Sequence, residues 1–117
     1  MRTASCKAKG RRAAEEVVDL LYKYWPDGMP GDIRITSSSV AGEDIQLSPA
    51  ARAVYPLVIE VKNQEKLNIW SSLKQAQGHL PNGQGSTCLI IPILFFKKNR
   101  TQLYAALDAE HLLKLIR

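Results

Sequence analysis

The chain has 117 residues, of which 45% are hydrophobic and 23% are charged. This length and composition fit one ordinary globular domain and argue against a disordered chain. No apolar run approaches the ~20 residues that a membrane-spanning helix needs, and no apolar segment follows the basic N-terminus as it would in a secretory signal. Two cysteines are too few for a disulfide framework. We therefore expect a soluble protein of a reducing compartment, the cytoplasm.

The net charge of +5 is concentrated at the N-terminus. Residues 1–12 contain five basic side chains and no acid, whereas the rest of the chain balances eleven basic against eleven acidic side chains. A basic arm of this kind can follow a phosphate backbone, because its lysines and arginines release counterions from nucleic acid. A solubilising terminus would have the same composition. We expect a basic arm over 1–12, followed by a single domain over 13–117.

Hydrophobic spacing predicts elements in the order α-β-β-β-α-β-β-α. They are a helix over 13–25, strands over 33–36, 44–47 and 57–62, a helix over 69–79, strands over 87–96 and 102–106, and a helix over 109–115. Residues 48–52 predict a turn or a brief helix with Pro49 at its first position, and Asp108 is a credible N-cap for the last helix. Pro92, inside an apolar strand, indicates a sheet edge or a bulge. We predict an α/β fold, a small mixed sheet flanked by helices.

The strand predicted over 57–62 carries charged residues in an apolar setting. Strand side chains alternate, so Glu60 and Lys62 share one face, while Ile59 and Val61 share the other. Burying a carboxylate and an ammonium group is costly unless something neutralises or uses them. An ion pair at a sheet edge would satisfy both groups. Asp44 begins the preceding strand, and in a hairpin its carboxylate could converge with Glu60, a pairing that suits a hard cation such as Mg²⁺.

The pattern Asp44…Glu60-Val61-Lys62 resembles the active-site signature of the PD-(D/E)XK nuclease superfamily. More narrowly, the chain resembles the archaeal Holliday-junction resolvases and related phage-encoded endonucleases. The residues that carry this narrower resemblance are 9–12 ahead of an acidic helix, the serine-rich loop 37–39, and the segment 67–75 after the Glu-x-Lys strand. The resemblance extends from about residue 9 to the terminal helix, and it implies a restriction-endonuclease-like core.

The resemblance implies metal-dependent hydrolysis of DNA by Glu15, Asp44, Glu60 and Lys62. Asp44, Glu60 and the backbone carbonyl of Val61 would hold Mg²⁺, for which Mn²⁺ would substitute. Lys62 would orient the attacking water or stabilise negative charge in the transition state. The family often adds an acid from the first helix. Glu15 and Glu16 flank the apolar stripe of that helix about symmetrically, and we favour Glu15.

The same resemblance suggests DNA contacts at Arg11, Arg12, Ser38, Ser39 and Gln75. A polar turn and an exposed helical glutamine are the simpler interpretations of the last three. The expected substrate is branched or junction DNA and the expected assembly a homodimer, because the opposing strands of a four-way junction need two cuts. Two alternatives stay open: a sequence-specific or homing-type endonuclease with the same active site, and a non-catalytic DNA-binding module whose acids are structural.

Overall fold

A computed structural model describes residues 2–37, 42–79 and 90–117, with side chains from Ala8 onward. The elements in chain order are α1 (Arg2–Lys23), β1 (Ile33–Ile35), β2 (Ile45–Leu47), α2 (Pro49–Val54), β3 (Leu57–Asn63), α3 (Ile69–Gly78), β4 (Ile91–Lys97), β5 (Tyr104–Ala106) and α4 (Ala109–Ile116). Ser38 and Ser39, and the predicted strand start at 87–89, lie outside the described residues.

Within the described residues, five strands form one sheet in the order β1-β2-β3-β4-β5. β3 and β4 run parallel, and the other neighbouring strands pair antiparallel. A parallel pair needs a crossover, and α3 lies in the connection between β3 and β4. β3 is the central strand. The predicted α/β class, a mixed sheet flanked by helices, is confirmed.

The first helix is longer than its apolar stripe predicted. α1 begins at Arg2 and not at Ala13, so the basic segment 2–12 is helical and continuous with the packed part of the helix. Alanine, lysine and arginine dominate this segment and all favour helix. Once Ala13, Val17 and Leu21 bury one face of the helix, extension toward the N-terminus is inexpensive. Of the helices in the described parts of the chain, none is both long and apolar enough to cross a membrane.

Local signals set the starts of two helices. The Ser48 hydroxyl oxygen accepts a hydrogen bond from the amide of Ala51, and Pro49 occupies the first helical position of α2. The Asp108 carboxylate accepts hydrogen bonds from the backbone amides of Glu110 and His111 at the start of α4. The predicted positions of Pro49 and Asp108 are both confirmed. Such signals are local, because a helix N-terminus needs an oxygen acceptor for its unpaired amides wherever it lies in the fold.

Pro92 lies in β4, which has a neighbouring strand on each side. The prediction that this proline marks a sheet edge is therefore wrong for the strand as a whole. Pro92 lies opposite Val58 of β3, but the pairing of β4 with β5 begins only at Leu94. The amide of Ile91 donates to the carbonyl of Pro56 on the β3 side. Alternation therefore turns the nitrogen of Pro92 toward the other side of the strand, ahead of the β5 pairing, where a missing N–H is tolerated.

Helices cover both faces of β3. Leu57 and Ile59 belong to the hydrophobic core that also includes the apolar stripe of α1. The opposite face, which includes Glu60, lies under α3, whose buried residues are Ser72 and Ala76. The charged residues of the central strand therefore lie on a covered face of the sheet.

Candidate active site

Asp44 lies where β2 separates from β3, a place we call the fork. The last β2–β3 pair is Ile45 with Ile59, and the amide of Asp44 donates to the carbonyl of Ile59. Two residues further along β3, the amide of Val61 donates to Oδ2 of Asp44 over 2.7 Å. The carboxylate thus takes the place that a strand carbonyl would occupy. Because the N–H and C=O of one strand residue point to the same edge, the carbonyl of Val61 faces the fork as well.

Glu60 lies beside the fork and is buried, with 4% of its surface exposed. Its Oε1 lies 3.0 Å from Nε2 of His79, and its Oε2 lies 3.5 Å from Nζ of Lys62. Burial raises the pKa of Glu60, the charge of Asp44 raises it further, and Lys62 and His79 lower it. The charge of Asp44 therefore disfavours ionisation of Glu60, and a cation bound near Glu60 would favour its ionised form.

The Glu60–Lys62 ion pair is present, but it does not lie at a sheet edge. β3 is the central strand, and only 22% of the Lys62 side chain is exposed. A buried ion pair contributes little net stability, because removing both charges from water offsets their attraction. Stability alone is therefore a poor reason for this pair to occupy the middle of the sheet.

A cavity of about 290 Å³ opens beside the fork. It lies between the N-terminal half of α1 and the ends of β1, β2 and β3, and its lining residues are Gly10, Arg11, Ala14, Ile35, Thr36, Asp44 and Val61. Arg11 brings a positive charge to the same cavity as the Asp44 carboxylate, an arrangement that suits an anion bridged to the site by a cation.

The two acids considered for the first helix have partners of their own. Oε2 of Glu15 lies 3.5 Å from Nε of Arg11, and 54% of the Glu15 side chain is exposed. Oε2 of Glu16 lies 2.8 Å from Nζ of Lys97. Neither glutamate lines the fork cavity, and Glu15 is linked to it only through Arg11. Arg12, on the same turn of α1, is exposed.

The helix after the Glu-x-Lys strand contributes a residue other than the predicted one. Gln75 is exposed on α3, whereas His79, which caps the C-terminal end of α3, contacts Glu60. The spacing of the buried Ser72 and Ala76 with His79 marks the face of the helix that meets the sheet. That spacing is present in the sequence, but Ile69, Leu73 and Ala76 form a more apolar series at helical spacing in the same segment.

A second unpredicted contact secures the segment before Asp44. Arg52 of α2 lies 3.4 Å from Oε1 and 3.2 Å from Oε2 of Glu43, and it also donates to the carbonyl of Leu57. Glu43 directly precedes Asp44, and Leu57 is the first residue of β3. Arg52 therefore ties the segment that holds Asp44 to the strand that holds Glu60.

The donor atoms at the fork suit a hard cation. Across residues 2–37, 42–79 and 90–117, no three His, Cys, Asp or Glu side chains form a cluster that would hold a metal by themselves. Mg²⁺ seldom needs one, because it keeps several waters and is bound by one or two carboxylates together with substrate phosphates. Asp44 and Val61 line the fork cavity, and Glu60 lies within reach of the charge of Asp44, so these residues would provide such a set of oxygens.

No family model, no curated protein and no solved structure matches this chain. The comparisons therefore neither support nor oppose the resemblance that the Asp44…Glu60-Val61-Lys62 pattern suggested. Interpretation of the site depends on its own residues.

Proposed function

We propose that this chain is a metal-dependent endodeoxyribonuclease of the PD-(D/E)XK type. The observation that carries the proposal is the placement of Asp44 on the amide of Val61, next in the chain to the buried Glu60 and its partner Lys62 on the central strand. Hydrolysis of a phosphodiester needs an activated water, a fixed phosphate and compensation of added negative charge. A carboxylate pair that favours a cation, next to a lysine, provides groups for each of these needs.

Asp44, Glu60 and the carbonyl of Val61 would hold Mg²⁺, or Mn²⁺ in its place. When bound, the ion supplies a more acidic water and polarises a phosphoryl oxygen. Lys62 places a compact positive charge on a flexible stem, so it can orient the water or face the phosphate. Arg11, on the wall of the fork cavity, would hold a phosphate of the DNA backbone.

We further propose branched DNA, such as a four-way junction, as the preferred substrate, a homodimer as the assembly, and the cytoplasm as the compartment. The support for DNA is the N-terminal half of α1, which concentrates basic residues on one helix. The support for a second copy is α4, on which Leu112, Leu113 and Ile116 are exposed and no residue is buried.

One observation favours a non-catalytic DNA-binding module instead. Both carboxylate oxygens of Glu60 have protein partners, His79 and Lys62, so the buried acid is partly satisfied without a cation. In that case the basic helix would bind DNA and the fork would be structural. A sequence-specific or homing-type endonuclease would share the fork, but it would need recognition elements beyond this compact core.

The test is to incubate the purified protein with labelled four-way junction, flap, duplex and single-stranded DNA in Mg²⁺, Mn²⁺ or a chelator. Asp44→Asn removes the charge but keeps an oxygen for the amide of Val61, and Asp27→Asn, at an exposed loop position, is the matched control. We expect metal-dependent, symmetric nicks in the junction with the unaltered protein and the control, and none with Asp44→Asn.

Other results would redirect the proposal. Cleavage of duplex at defined sequences would favour the sequence-specific endonuclease. DNA binding without cleavage in either metal would favour the non-catalytic module. Cleavage that Asp44→Asn leaves unchanged would contradict the assignment of the fork as the active site.

A further inference from the structure

His79 connects the end of α3 to the charged face of β3. Its amide donates to the carbonyls of Ala76 and Gln77 and closes the helix, while Nε2 of its ring lies 3.0 Å from Oε1 of Glu60. The side chain of His79 is 22% exposed, and that of Glu60 is 5% exposed. The contact therefore lies at the boundary between solvent and the buried carboxylate.

The two partners of Glu60 differ in how firmly they can hold it. Nζ of Lys62 lies 3.5 Å away, at the end of a flexible four-carbon stem, whereas the ring of His79 is rigid and 3.0 Å away. Lys62 is also the group that the proposed chemistry turns toward water or phosphate. When Lys62 makes that contact, His79 still holds the Glu60 carboxylate.

The packing of α3 fixes the place of His79. Ser72 and Ala76 are buried against the sheet, and they precede His79 at helical spacing on the same face. The hydroxyl of Ser72 donates to the carbonyl of Asn68, so no unpaired donor weakens this contact of helix and sheet. The imidazole therefore directly follows the last turn of a helix that is packed on the sheet.

We propose that His79 is a positioning residue that holds the Glu60 carboxylate in one orientation through an Nε2–H donor, so that the acid meets a cation without reorganising. The cation part of this inference rests on the proposed function, whereas the orienting contact does not. Hydrogen bonds that orient a ligating group typically change metal affinity about 10- to 100-fold.

The test compares three variants of the whole chain in the absence of DNA. His79→Ala removes the donor, His79→Gln restores an N–H donor at a similar reach, and Gln77→Ala removes an exposed neighbour on the same helix. Electron paramagnetic resonance gives the affinity for Mn²⁺, and NMR couplings in ¹³C-labelled, metal-free protein give the rotamer distribution of Glu60. Thermal melts verify folding, and His79→Leu replaces His79→Ala if the alanine variant unfolds.

We expect His79→Ala to weaken Mn²⁺ binding about tenfold or more and to average the Glu60 rotamers. His79→Gln should recover most of both properties, and Gln77→Ala should change neither. An unchanged Glu60 rotamer in His79→Ala, or a His79→Gln variant indistinguishable from it, would overturn the positioning role. If the unaltered protein binds no Mn²⁺ while His79→Ala still frees Glu60, the proposed metal site fails and the orienting contact stands.

Discussion

The two faces of β3 are equally covered by helices but differ in chemistry. Ile59, which faces α1, is 0% exposed, and Glu60, which faces α3, is 4% exposed. Exposure therefore cannot explain why one face is apolar and the other is charged. The Glu60 face carries a free-energy cost that the Ile59 face avoids, because burial disfavours the charged form of Glu60 and raises its pKa. The Ile59 face stabilises the sheet, whereas the Glu60 face buries charge at a cost in stability.

The helices on the two faces match this division. α1 covers Ile59 with branched side chains, including Val17 and Leu21. α3 presents small buried residues, Ser72 and Ala76, to the opposite face. Small side chains leave room for the carboxylate and the lysine to lie between helix and sheet without a clash. The small buried side chains of α3, together with the charges on β3, therefore shape this covered face of the sheet.

The largest expected effect comes from removing the lysine of the charged face. Lys62→Ala should lower the cleavage rate by about 10²–10³-fold, because it removes a positive charge from the place where negative charge develops. Stability should fall as well, because removing one partner of the pair leaves the buried Glu60 carboxylate without its countercharge. Steady-state cleavage and a thermal melt measure the two effects. Lys23→Ala, at an exposed position at the end of α1, is the control, and equal cleavage by both variants would contradict the role of Lys62.

A cavity on the apolar face should lower stability without removing any charge. Ile59→Ala should lower the free energy of unfolding by about 2–5 kcal/mol, because it deletes fully buried methyl groups in a core that collapses only in part. Ile116→Ala makes the same chemical change at a side chain that is 70% exposed, and it should stay within about 0.5 kcal/mol. Urea unfolding measures both. A small loss for Ile59→Ala would mean that the two faces are not divided as described.

Sequence patterns that span only a few residues predicted much of this architecture. The alternation of β3 placed Glu60 and Lys62 together because a period of two holds for any strand. The N-cap Asp108 could be predicted because an unpaired amide needs its acceptor within a few residues, and Pro49 could be placed because its ring suits the first helical position. Asp44 could be connected with Glu60 because strands that follow one another in the chain commonly lie side by side, as β2 and β3 do.

Contacts that depend on how the helices and strands pack could not be predicted from such local patterns. His79 is 19 residues from Glu60, and the contact depends on the rotation of α3 over the sheet. The Arg52–Glu43 contact depends on where a brief helix lies relative to β3. Glu15 pairs with Arg11 and does not line the fork cavity. A helical wheel could not decide between the two neighbouring glutamates.

The smallest expected effect, and the most specific to the charged face, is a dependence of stability on pH. Burial, and then the charge of Asp44, raise the pKa of Glu60 above its ordinary value of 4.5. The folded protein therefore binds this proton more tightly than the unfolded chain does. The contribution to stability is fully present below pH 4.5, declines as the pH rises toward the pKa in the folded protein, and is lost above it.

Glu60→Gln stays neutral and should lack this decline, so the free energy of unfolding of the unaltered protein minus that of the variant should fall as pH rises from 4.5. Urea unfolding of both proteins over this range gives the difference directly, and a flat or rising difference would contradict the raised pKa. Ile59→Ala should show an offset that does not vary with pH, because its face of β3 contributes no titratable group among Leu57, Ile59 and Val61. Saturating Mg²⁺ should restore stability at the upper end of the range only where Glu60 can ionise, since a ligand of the folded state stabilises it. Stabilisation by Mg²⁺ would show that the Glu60 carboxylate binds a cation, whereas a carboxylate that is only buried would give no such response.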